Sequence, residues 1–115
     1  IAYSNEVKNL LLNVPKDLIN NFGAVSEEVA ESMAIGVKNK LNSDWAISVS
    51  GIAGPNGGSE SKPIGLVYIA ITGPNNKTVK IKKQYNHLRN RNEIQRLSVN
   101  DCLNSLRLIL LSYKT

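Results

Sequence analysis

Residues 50–65, SGIAGPNGGSESKPIG, hold five of the chain's eight glycines and two of its four prolines. Two apolar runs bracket them, residues 45–49 and residues 64–71 (IGLVYIAI). An apolar run with almost no polar break reads as a central strand covered on both faces. The chain must therefore build a sheet with layers on both sides and hang a long polar loop between two of its strands. Glycine is costly to order and is favoured where the backbone takes positive φ or where a ligand approaches it closely. Long loops on a rigid scaffold are where binding and catalytic groups concentrate. The loop is therefore the first candidate for a site.

The flanking segments fit that architecture. Residues 1–4 read as the tail of a strand. Asn5 is the expected cap of a short helix over residues 6–12, with Glu6 in its first turn. Pro15 suits the first position of a second helix, with Leu18, Ile19 and Phe22 as its apolar stripe and Gly23 closing it. Residues 26–41 give the clearest helix. Ser26 caps it, Glu27 and Glu28 lie at its positive end, and Lys38 and Lys40 lie near its negative end. Val29, Met33, Val37 and Leu41 recur at four-residue spacing. Gly36 inside this helix costs roughly 1 kcal/mol against alanine, which implies close packing on a neighbour.

Beyond the glycine loop, residues 73–76 (GPNN) form a turn and residues 78–85 pair back as a hairpin strand. In that strand Val79, Ile81 and Tyr85 share one face, and Lys80 and Lys82 share the other. A final helix is expected over residues 92–113, running through Ile94, Leu97, Leu103, Leu106, Ile109 and Leu110, with Cys102 as a small core residue. The order strand, helices, strand, loop, strand, strand, helix predicts a three-layer α/β/α sandwich on a mixed sheet. The 115 residues make one domain. The opening Ile-Ala-Tyr-Ser, without methionine, leads us to expect that the domain is incomplete at its N-terminus.

The composition excludes several function classes. One cysteine rules out an internal disulfide and a cysteine zinc cluster, and one histidine rules out a multi-histidine metal site. No apolar run approaches the ~20 residues that span a bilayer, and no secretory pattern opens the chain, so a cytoplasmic location is the default. The net charge of +5 is uneven: residues 1–76 carry −2, and residues 77–96 alone carry +6. Such a segment suits a phosphorylated small molecule or a nucleic acid, or is simply a solvated basic strand. Nucleic acid is disfavoured because Tyr85 is the single aromatic residue among those lysines and arginines.

Four groups of residues could carry chemistry. The glycine loop offers backbone N–H groups for an anion or oxyanion pocket. It lacks the Gly-Lys-Ser/Thr ending of a nucleotide-hydrolase phosphate loop, and no helix follows as a dinucleotide fingerprint requires. Residues 3–8 (YSNEVK) place Lys8 one turn into a helix. There it reads either as a solvent-facing lysine or as a general base for a hydroxyl nucleophile. Arg89 and Arg91 precede a helix start, where phosphate is favoured. Asp44 and Glu60 form no pair spaced for acid/base work.

YSNEVK at 3–8, GAVSEEVAESMA at 23–34 and SVSGIAGPNGGSESKPIGLVYIA at 48–70 together resemble the CinA C-terminal domain family. Three ordered motifs make the resemblance specific, and it covers nearly the whole chain. It implies hydrolysis of the carboxamide of nicotinamide mononucleotide (NMN) to the carboxylate and ammonia, with no metal and no redox cofactor. It implies Lys8 as the lysine assisting a serine nucleophile, and Tyr3 as a residue that stacks on or hydrogen-bonds the substrate. Ser4, Asn5, Ser50, Gly51, Gly54, Gly57, Gly58 and Lys62 match motif positions and are implied to be substrate-binding. Arg91 matches the family's arginine and would face the phosphate. Arg89 stands where a glycine is usual, and Gln95 where an arginine is frequent. The family's nucleophile lies in an AESCTGG-like segment upstream of YSNEVK, which these 115 residues do not contain. The expectation is therefore a domain lacking roughly its first 50 residues, judged against ordinary domain sizes, and inactive alone. The alternative is a nucleotide-binding module that does no chemistry. Self-association is left open.

Overall fold

The structure is a computed structural model that describes residues 4–113. The expected strand tail at the N-terminus, and Tyr3 with it, therefore lie outside the described residues. The elements are α1 (Asn5–Leu12), α2 (Lys16–Phe22), α3 (Glu27–Leu41), β1 (Ala46–Gly51), β2 (Leu66–Thr72), a short 3-10 turn (Pro74–Asn76), β3 (Thr78–Gln84) and α4 (Arg91–Ser112). The three strands lie in the order β1-β2-β3 and pair antiparallel, with Val49 opposite Ile69 and Ile69 opposite Ile81. The α/β/α layering is as expected. The sheet of the described residues is antiparallel throughout.

β2 is central, and its side chains explain the layers. Val67, Ile69 and Ile71 are almost fully buried, and with Ile94 and Cys102 of α4 they form one core. Ala70 on the opposite face packs against Ala30 and Ala34 of α3. These methyl-sized contacts let α3 lie close to the sheet. Ser48 of β1 faces the same side and donates its hydroxyl to the Ala30 carbonyl. A third cluster (Leu12, Val14, Ile19, Val29 and Met33) holds α1 and α2 on the outer side of α3. At the crossing, a Cβ on Gly36 would lie 1.9 Å from the Leu12 carbonyl oxygen, so the close approach inferred from the sequence is real.

Local chemistry sets the helix boundaries. Ser26 accepts from the Val29 N–H as expected, at 3.2 Å. Ser4 rather than Asn5 caps α1, accepting from the Val7 N–H at 3.1 Å. Pro15 precedes α2 as its N-cap instead of opening it. α4 begins with a capping box in which Asn90 and Glu93 satisfy each other's backbone N–H.

Four apolar assignments need correction. Leu41 is 64% exposed because four-residue spacing advances about 40° per step around a helix, so the stripe from Val29 has turned outward by Leu41. Phe22 is exposed at the end of α2. On α4 the buried seam runs through Ile94, Ser98 and Cys102, while Leu103 and Leu110 lie on an exposed flank.

Candidate functional site

A cleft of about 850 Å3 opens beside β1, between α1, the α2–α3 linker and the first half of α4. Lys8 and Asn5 reach it from α1, and Ala24 and Val25 from the linker. Val49, Ser50 and Gly51 contribute the end of β1, and Arg91, Gln95 and Val99 the near flank of α4. Among the described residues, no aspartate or glutamate lines it. With Lys8 and Arg91 on its walls, the cleft favours a ligand carrying negative charge.

Lys8 is the most unusual of these residues. It is only 6% exposed, where lysine is ordinarily solvated. Its position follows from the backbone: its N–H bonds to the Ser4 carbonyl, and its own carbonyl accepts from the N–H of Asn13 and of Val14. The tight return at Asn13 (φ 58°) lays α1 against α3 with Lys8 facing inward. Burial lowers its pKa below the ordinary lysine value of 10.5. Among the described residues no carboxylate lies within ion-pair distance to reverse that shift. A desolvated amine of this kind can exist neutral and accept a proton.

The glycine loop is fastened at its base by Ile52 N–H to the Leu66 carbonyl at 2.9 Å and by Gly65 N–H to the Ile52 carbonyl at 2.7 Å. Gly54 has φ +82° and precedes a cis bond to Pro55. Arg91 donates from Nη1 to the Gly54 carbonyl at 3.2 Å, tying the start of α4 to the loop. Arg91 also lines a second hollow of about 480 Å3, shared with Gly54, Pro55, His87 and Arg89. One guanidinium thus sits between two recesses.

The structure brings some of the sequence candidates together and separates others. Lys8, Asn5, Ser50, Gly51 and Arg91 meet at the cleft. Gly54 faces the neighbouring hollow. Gly57 and Gly58 lie in the exposed outer part of the loop, lining neither recess. Ser4 is committed to capping α1. Ser50 donates its hydroxyl to the Ala24 carbonyl and so holds the α2–α3 linker against β1. Lys62 does not line the cleft; its ammonium donates to the Phe22 carbonyl at 2.6 Å. Sequence reasoning missed Ala24, Val25 and Val49 as walls. No polar or reactive group marks them, and the bond from Ser50 to Ala24 joins the linker to the strand.

Comparison with known proteins assigns the chain. The profile described as the CinA C-terminal domain matches residues 1–110. A CinA-like protein from Prochlorococcus marinus (strain MIT 9215) is 69% identical over 112 residues, covering 97% of this chain and 26% of that protein. A CinA-like protein from Trichormus variabilis is 48% identical over 112 residues, again 97% of this chain and 27% of that protein. The chain thus spans about a quarter of the length of the curated relatives it matches. Among solved structures, the competence/damage inducible protein CihA from Agrobacterium tumefaciens superposes with a TM-score of 0.89 at 36% identity, covering 93% of this chain and 64% of that one. The competence damage-inducible protein A from Klebsiella pneumoniae gives a TM-score of 0.90 at 28% identity, covering 97% and 68%. With the family profile, the relatives and the superposed structures in agreement, the chain belongs to the CinA C-terminal domain family.

Proposed function

We propose that this domain supplies one wall of an amidohydrolase site that converts NMN to nicotinate mononucleotide and ammonia, in a protein of the length its relatives have. The observation that carries the reading is Lys8: an amine buried in a cleft wall, with its pKa lowered by desolvation, beside a β-strand end that presents Ser50 and Gly51. In this reading the attacking hydroxyl comes from a serine in an AESCTGG-like segment that is not among these 115 residues. Neutral Lys8 removes the hydroxyl proton as the oxygen bonds to the carboxamide carbon, and returns it to the departing ammonia. Water then hydrolyses the acyl-enzyme ester to give the carboxylate and regenerate the serine. Gly51 N–H is a candidate donor to the oxyanion, and Arg91 is the candidate partner for the phosphate. Tyr3, outside the described residues, keeps its proposed substrate contact. No metal or redox cofactor enters the reaction as written, and the substrate is a cytoplasmic small molecule.

A second reading has its own support. The cleft hydroxyl of Ser50 is engaged with the Ala24 carbonyl, and Ser4 is engaged as a helix cap. On this reading the domain is a non-catalytic nucleotide-binding module of a CinA-like protein. Calorimetric titration of the chain with NMN, together with an ammonia assay, separates the cases. Both readings expect the chain alone to bind without releasing ammonia; a protein that also carries the upstream segment releases ammonia on the first reading and binds without release on the second. No binding by either protein contradicts both readings.

A further inference from the structure

The lysine of the glycine loop has a role that its matching motif position does not express. Residues 52–65 hang from the β1–β2 end of the sheet, and two cations strap them to opposite layers. Arg91 of α4 holds the Gly54 carbonyl on one side. On the other, Lys62 reaches the last residue of α2, donating to the Phe22 carbonyl at 2.6 Å. That carbonyl is one of the unpaired groups at a helix C-terminus, where an ammonium is the favoured partner.

The neighbouring residues are shaped for this contact. Gly23 follows Phe22 with φ +83°, and a Cβ there would lie 2.7 Å from Lys62 Nζ, so any side chain at that position would press on the ammonium. Within the loop, Ser59 and Lys62 close a turn on each other, Ser59 N–H to the Lys62 carbonyl at 2.9 Å and Lys62 N–H to the Ser59 hydroxyl at 3.1 Å. This turn aims the lysine stem away from the cleft and toward α2. Ser50 fastens the next part of the same linker through the Ala24 carbonyl. The glycine loop, the end of β1 and the α2–α3 linker are thereby locked as one wall.

We propose that Lys62 is a positioning residue, a latch that fixes the glycine loop to the α2–α3 corner, and that its charge is spent on the protein rather than on the substrate. The statement that the wall serves catalysis rests on the amidohydrolase reading; the latch itself does not. The test is the backbone order of residues 57–62 in the ligand-free chain, measured by NMR relaxation in wild type, Lys62→Met and Lys62→Arg. Wild type and Lys62→Arg, which keeps a donor, are expected near the rigid value of about 0.85. Lys62→Met is expected to fall below about 0.6 in the loop while β2 stays rigid. Unchanged loop order in Lys62→Met, equal loss in Lys62→Arg, or loss spread equally over β2 each overturns the latch. In the longer protein, a latch lowers kcat with KM nearly constant, whereas a substrate contact raises KM. If no NMN is hydrolysed at all, the amidohydrolase reading fails while the relaxation result still decides the latch.

Discussion

Gly36→Ala separates local propensity from tertiary packing, because the two predict opposite signs. In an isolated helix the change stabilises by about 1 kcal/mol. Here the new Cβ would meet Leu12 backbone atoms: the carbonyl oxygen at 1.9 Å, the carbonyl carbon at 2.8 Å and Cα at 3.2 Å. None of these can rotate away as a side-chain tip can. Reaching even 3.0 Å, below which Cβ contacts essentially do not occur, requires α1 and α3 to separate by about 1.1 Å at the crossing. That separation loosens the cluster of Leu12, Val14, Val29 and Met33. Overpacking of this kind costs about 1–3 kcal/mol and occasionally more. After the propensity gain, the expected net loss is up to about 2 kcal/mol, read as a lower urea midpoint with an unchanged slope. Because α1 carries Lys8, the same shift re-exposes the amine and moves its pKa back toward the ordinary value. A midpoint equal to or above that of wild type would refute the packing argument and leave propensity in control.

Other consequences are simpler to read. Burial depresses the folded-state pKa of Lys8, so its charged form is the one the fold penalises. Lys8→Met should therefore be more stable than wild type at neutral pH, with the advantage shrinking as pH rises through the folded pKa toward 10.5; an advantage that grows with pH contradicts the burial. The Cys102 thiol is 5% exposed and pushed up to about 11 by burial, with the Asp101 charge adding to the shift. It should resist a thiol reagent at pH 8 in the native protein and react fully in denaturant, and rapid native reaction would count against the α4 packing. Ser50→Ala removes the hydrogen bond joining β1 to the Ala24 carbonyl and should cost about 1 kcal/mol in urea unfolding. No change would mean that water replaces the hydroxyl without penalty.

Much of the scaffold could be read from short-range patterns. The cap at Ser26, the uninterrupted apolar run of β2 and the misplaced glycine of α3 each pointed to one structure, and each formed. Local rules had less purchase where several residues could serve. Ser4 and Asn5 can both cap a helix, and the structure uses Ser4. Leu103 and Leu110 read as core because leucine is usually buried, yet α4 turns its serine- and cysteine-bearing seam inward instead. The site depended most on contacts remote in sequence. Lys8 is buried because α1 folds back on α3, and Lys62 faces α2 because a carbonyl 40 residues upstream is free to receive it. Neither partner carries a signal in its own neighbourhood. The motif match identified which residues belong to the region, and the geometry divided them into those facing the cleft and those holding its walls.

The amidohydrolase reading stands on Lys8. The most direct test compares ammonia release from NMN by wild type and Lys8→Ala, in a protein that carries this domain together with the serine segment. Circular dichroism and urea unfolding would confirm that both are folded. Turnover by wild type and a loss of about 100-fold or more in Lys8→Ala is the predicted result, as expected when a general base is removed. A Lys8→Ala protein that folds and releases ammonia within a few-fold of wild type would contradict it.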